Sequence, residues 1–121
     1  MTWAIEGELL DAINESARHS FPNEFLCLLR AEKRVITEMV LLPGTVSGER
    51  HGILDINMAP MALGIIGSAH SHPGRNNEPS DADRGFFNSM GGVHIITCLP
   101  FDRNSWKAYD RSGFPVDVDI I

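Results

Sequence analysis

Hydrophobic residues near the start of the chain recur at helical spacing. Ile5, Leu9, Leu10, Ile13 and Ala17 share one side of a spiral, with Glu6, Glu8, Asp11 and Glu15 on the other. The pattern predicts a first helix ending near His19 and Ser20, because Pro22 disfavours helical backbone just before it. Residues 25–29 then form a continuous apolar run, as expected of a strand covered on both faces. Residues 35–42 read as a second strand, closed by Pro43 and Gly44. A polar connector at 47–50 leads to a weakly alternating strand at 51–57, and residues 58–61 suit a turn or a short bend. Residues 65–70 are apolar and small, which fits a central strand running into a loop. Residues 71–79 hold Pro73, Gly74, Asn76, Asn77 and Pro79 and exclude regular structure. A second helix follows over 80–90, with Phe86 and Phe87 on its apolar side and Gly91-Gly92 as its stop. Strands are expected at 93–99 and 105–109, around a turn at 100–104. The alternating Val/Asp pattern of 116–121 predicts one half-exposed edge strand.

Helix, strands, helix, strands is the order of a mixed α/β domain, a central sheet flanked by helices. Its 121 residues suit one domain spanning 1–121, and no linker divides it. Composition removes several classes of function. The formal charge is −6, and Lys and Arg are scattered rather than gathered into the basic stripe that nucleic acid requires, so no nucleic-acid role is expected. The apolar runs are too short to span a membrane, and because Met1-Thr2-Trp3 leads directly into the amphipathic pattern no signal peptide is expected. Cys27 and Cys98 lie inside apolar runs, form no C-x-x-C pair and read as buried reduced thiols. A cytoplasmic protein is expected; the sequence sets no oligomeric state.

The chemistry concentrates in His70-Ser71-His72-Pro73, followed after six residues by Ser80-Asp81-Ala82-Asp83. On extended backbone, side chains two apart point the same way, so His70 and His72 can face one cation. Pro73 stiffens the exit from that strand. Zinc accepts imidazole nitrogen and carboxylate oxygen, and a catalytic site keeps three protein ligands. A loop followed by a helix lets the chain return a carboxylate from the helix's first turn. Ser80 and Asp83 also have the spacing of an ordinary helix cap, which does not exclude a chemical role. His51 and His94 read as structural or surface histidines, and His19 suits the C-terminal end of the first helix. Trp106 reads as core packing. Ser71 should face away from the two histidines, and Glu78 and Asp81 set local charge.

At every defined position this stretch resembles the signature of the JAMM (MPN+) zinc metalloproteases: His-Ser/Thr-His-Pro, six residues, Ser, two residues, Asp. The resemblance extends over nearly the whole chain and is to the small stand-alone archaeal and bacterial members. It implies a fold similar to that of cytidine deaminases, with Zn2+ at one edge of the sheet. It implies His70, His72 and Asp83 as zinc ligands. It also implies Glu24 as the group that orients and deprotonates water and then protonates the leaving amine. From the residues alone Glu6, Glu8, Glu38 and Glu49 compete with Glu24. Ser80 would donate a hydrogen bond to the oxyanion. The implied reaction is hydrolysis of a peptide or isopeptide bond after the C-terminal Gly-Gly of a ubiquitin-like modifier. A first alternative is release of cysteine or another small adduct from a sulfur-carrier protein's C-terminus. A second is a non-catalytic MPN scaffold; scaffolds lack ligand residues, whereas this chain keeps all of its signature positions.

Overall fold

The computed structural model of the protein describes residues 2–41 and 64–121. In chain order these form β1 (Trp3–Ile5), α1 (Gly7–Ser20), β2 (Leu26–Glu32), β3 (Val35–Val40), β4 (Ile65–Ser71) and α2 (Asp81–Met90). There follow β5 (Val93–Thr97), β6 (Trp106–Tyr109), β7 (Pro115–Val116) and β8 (Val118–Ile120). The described strands make one mixed sheet in the order β7-β6-β5-β4-β2-β3-β1-β8. The expected α/β architecture is therefore present, with a sheet between helices.

Alternation along the central strands decides which helix each residue meets. Cys27 and Leu29 of β2, Ala69 of β4, and Val93 and Ile95 of β5 share a buried cluster with Leu9, Leu10 and Ile13 of α1. The intervening residues Leu26 and Leu28 pack with Phe86 and Met90 of α2. Ile96 and Tyr109 pack with Phe87 of the same helix. Ala69 lies on the α1 side, so Ser68 and His70 fall on the α2 side, where the His70 ring stands 6.1 Å from that of Phe87.

The parallel pair β4–β5 begins at an unusually close backbone approach. A Cβ on Gly67 would lie 1.6 Å from the Val93 carbonyl oxygen. Gly92 has φ of +80°, and a Cβ there would lie 1.7 Å from the Ile66 carbonyl oxygen. Two glycines thus let the turn after α2 enter β5 in direct register with β4.

Two elements differ from the sequence expectation. Ile5 is not the first residue of α1 but the last of β1, paired with Ile36 on one side and Ile120 on the other. It immediately precedes Glu6, the N-cap of α1, and shares a core cluster with Leu10. A residue before the cap and one in the first turn commonly pack together, and this mimics helical periodicity. The single strand expected at 116–121 is two strands. β7 pairs with β6 at one edge of the sheet and β8 with β1 at the other. Asp117 alone separates them, so the sheet curls until its edges adjoin. The connector at 47–50, the strand expected at 51–57 with His51, the bend at 58–61 and Leu42 lie outside the described residues.

His94 has become part of the core. Its ring stacks on Phe87, with centroids 4.3 Å apart and planes 10° from parallel. Nε2 is 2.6 Å from the Gly91 carbonyl, which can only accept, so Nε2 carries the proton. Nδ1 then accepts from the Ser68 hydroxyl at 2.7 Å. Burial, partly opposed by the Gly91 carbonyl, pushes the His94 pKa down to about 4 from its ordinary 6.5. The folded chain resists this proton while the unfolded chain binds it near 6.5, so the contribution is complete above that pH. It is lost as pH falls from 6.5 towards 4, and amounts to about 3 kcal/mol. Urea unfolding of chelator-treated protein should show that decline, with a shallower slope for His94→Asn; equal slopes in the two proteins would contradict the assignment.

Candidate metal centre

β4 delivers both histidines. His70 is paired in the ladder opposite Leu26 of β2 and Ile96 of β5. His72 lies just beyond the strand, but its N–H donates to the Thr97 carbonyl at 2.9 Å and prolongs the β5 pairing. The backbone therefore stays extended through His72, which keeps it on the same side as His70. Ser71 points to the other side, where its Oγ accepts the Phe25 N–H at 2.8 Å. The Ser71 N–H donates in turn to the Phe25 carbonyl at 2.9 Å.

The first turn of α2 supplies the third group. Ser80 Oγ accepts the Asp83 N–H at 3.1 Å, and the Ser80 N–H donates to Asp83 Oδ2 at 2.9 Å. This reciprocal cap satisfies two backbone donors and fixes the Asp83 rotamer. The carboxylate is thereby aimed at the histidines. His70 Nε2 lies 3.2 Å from Asp83 Oδ1, His72 Nε2 lies 3.1 Å from Oδ2, and the two Nε2 atoms are 3.2 Å apart.

These spacings are those of three corners of a tetrahedron around a small cation. Ligand atoms about 2.0–2.1 Å from zinc stand roughly 3.3 Å from one another. Among the described residues, His70, His72 and Asp83 form a group whose donor atoms can meet at one ion. The His70 side chain is 6% exposed, and those of His72 and Asp83 are 18% exposed, so the group is largely dry yet reachable from one side.

Electrostatics tie the group together. Burial works to raise the Asp83 pKa, but hydrogen bonds from His70 and His72 outweigh it and hold the carboxyl far below the usual range. The hydrogen bond to Asp83 raises the His72 pKa against the effect of burial, with help from the Asn76 carbonyl and the Glu24 charge. His72 Nδ1 is 2.8 Å from the Asn76 carbonyl, an acceptor, so Nδ1 carries a proton. Nε2 is left facing Asp83, where the lone pair that takes a proton can equally take a metal.

Glu24 reaches this place through strand register. β2 and β4 pair Leu26 with His70, and the Phe25–Ser71 bonds extend the pairing by one residue. One step further sets exposed Glu24 opposite His72, and its charge is felt by that ring. The structure thus brings together His70, His72, Asp83, Ser80 and Glu24. It places the competing glutamates elsewhere: Glu6 occupies the N-cap position of α1, Glu8 lies in its first turn, and Glu38 pairs with Arg30 at 3.1 Å. Glu49 lies outside the described residues. The Asn76 carbonyl was missed because a backbone acceptor leaves no mark on residue type. Elsewhere a cleft of about 720 Å³ opens between α1 and residues 102–104, spanned by a bidentate Arg103–Asp11 pair and not including the triad.

The chain is similar to several known proteins. Residues 6–109 match the family described as prokaryotic homologs of the JAB domain. A Haloferax volcanii protein named "Probable metalloprotease" is 35% identical over 127 aligned residues, covering 97% of this chain and 78% of its own length. A solved structure presented as "JAMM: A Metalloprotease-like Zinc Site in the Proteasome and Signalosome" is 33% identical, with a TM-score of 0.81, covering 100% of this chain and 99% of that one. A JAB1/MPN domain protein from Archaeoglobus fulgidus is 34% identical, also at 0.81, covering 99% and 98%.

Protein purified without added metal should carry one zinc per chain by elemental analysis, given the three converging donors. Changing both His70 and His72 to Ala should abolish it. Undiminished zinc in that double variant would remove the ligand assignment.

Proposed function

The chain belongs to the family of prokaryotic homologs of the JAB domain, and we propose that it is a zinc metallopeptidase cleaving after the C-terminal Gly-Gly of a ubiquitin-like modifier. The observation that carries this reading is the convergence of His70, His72 and Asp83, with Glu24 set opposite His72 by strand register. Zinc held by the three ligands would supply Lewis acidity, lowering the pKa of a bound water to about 7 and polarising the scissile carbonyl. Glu24, exposed and without a ligand position, would take the proton from the attacking water and hand it to the leaving amine. One carboxylate can serve both steps because an amide leaving group must be protonated after attack.

Ser80 has capacity for two roles. Its Oγ accepts the Asp83 N–H, while its own hydroxyl hydrogen is not used by the cap. That hydrogen can be donated to the oxyanion, where one such bond is worth about 10²–10³ in rate. A capping serine therefore aims both the ligand and its own donor.

The substrate reading rests on access. The ligand group lies on one face of the sheet with its outer members partly open, which suits an extended chain laid across it. Residues without a Cβ can pass most closely beneath such a site, so a Gly-Gly tail fits. The same tail would be presented by a sulfur-carrier protein, and release of a terminal cysteine is the companion reading. Two free buried cysteines, Cys27 and Cys98, are compatible with action in the reducing cytoplasm.

Glu24→Gln should retain zinc and fold while losing about 10²–10⁴ in turnover, measured on a modifier fusion with a Gly-Gly tail. Loss of zinc in that variant would make Glu24 a ligand instead. On the substrate side, replacing the penultimate Gly by Val should abolish cleavage, chiefly through kcat. Equal cleavage of the Val tail would remove the Gly-Gly requirement. Processing of a carrier with a terminal cysteine, but not of lysine-linked conjugates, would favour the companion reading.

A further inference from the structure

We propose that Tyr109 is a positioning residue for the metal centre, latching the loop whose backbone fixes the His72 ring. The inference rests on the metal reading of His70, His72 and Asp83.

Tyr109 closes β6 and is 2% exposed, packed beside Phe87 with ring centroids 6.4 Å apart. A buried phenol must find a hydrogen-bond partner. Its hydroxyl donates to the Asn77 carbonyl at 2.9 Å. Burial and the Glu78 charge raise its pKa, so the hydroxyl remains a donor.

The peptide unit joining Asn77 and Glu78 is thereby held at both ends. Tyr109 holds its carbonyl, and its N–H donates to Asn76 Oδ1 at 2.8 Å. The adjoining peptide presents the Asn76 carbonyl that takes the His72 Nδ1 proton at 2.8 Å. Further back, the Gly74 carbonyl accepts the Leu99 N–H at 2.9 Å. The loop between the second histidine and α2 is thus anchored to the β5–β6 side of the sheet. With the Asn76 carbonyl fixed, His72 keeps the tautomer that turns Nε2 toward Asp83 and His70. Without the latch that carbonyl can rotate, and the imidazole loses its orientation.

The test is zinc affinity in competition with a chromophoric chelator, together with 15N imidazole shifts of the zinc-free protein. Tyr109→Phe keeps the ring and removes the hydroxyl. It should weaken zinc binding by about 10-fold, the low end of the effect of losing a partner that orients a ligand, because Tyr109 acts on His72 through the Asn76 carbonyl and not by a bond of its own. The His72 signal should also move away from a fixed Nδ1–H form. Ile13→Val, a mild truncation in the α1 cluster, is the control and should leave affinity unchanged. Affinity within twofold of the parent in Tyr109→Phe overturns the proposal. An equal loss in Ile13→Val also overturns it, because the effect would then be general destabilisation. Should Tyr109→Phe not fold, Asn76→Ala in the exposed loop removes the other hold on the same peptide; it should weaken zinc, and unchanged affinity there overturns the latch. If the parent protein itself binds no zinc, the metal reading falls and the latch with it.

Discussion

The antiparallel pairing of β2 with β4, in the register that sets Leu26 opposite His70, governs nearly everything at the site. Side chains alternate with a period of two, so a slip of one residue would turn each of them to the other face. His70 would then enter the aliphatic layer under α1, and Ser71 would face α2 in its place. The register is held from three directions. The apolar sets of β2 demand it, since Cys27 and Leu29 must meet α1 while Leu26 and Leu28 meet α2. The paired bonds between Phe25 and Ser71 lock the end nearest His70 and His72. On its other side β4 is fixed against β5, where the contact of Gly67 with the Val93 carbonyl is closed to any residue with a Cβ.

Asp83 shows how one carboxylate can serve structure and chemistry together. The start of α2 favours negative charge, and the Ser80 N–H supplies a directed bond. Those interactions, with two imidazoles, offset the cost of withdrawing an ionised group from water. The cap that begins the helix is therefore the device that points the carboxylate at His70 and His72, so helix initiation and the geometry of the three donors cannot vary independently.

The sequence makes some of this legible and conceals the rest for a physical reason. His70, His72 and Asp83 are readable because their convergence is local: two residues on one strand and a first-turn carboxylate a short loop away. Glu24 is different, since its position depends on pairing between β2 and β4, and only the family signature singled it out beforehand. His94 and Tyr109 carry no local mark, because Ser68 and Asn77 reach them by strand pairing and loop closure. Ile5 imitated a helical position by packing just ahead of the cap. The run 116–121 alternates correctly for a strand, but alternation cannot tell one strand from two that lie on different edges.

The division of that last run at Asp117 has a consequence for how the protein comes to be made. β1 leaves the ribosome long before its partner β8, since Trp3 pairs with Val118. During synthesis β1 can pair with β3 soon after both emerge, while its other edge stays open until β8 has appeared. Contacts between such distant residues carry the largest loop-closure cost and form late. The curl that brings the two edges together is thus a late act of folding, and until it occurs the nascent protein presents an unpaired strand edge of the kind that chaperones recognise and aggregation exploits.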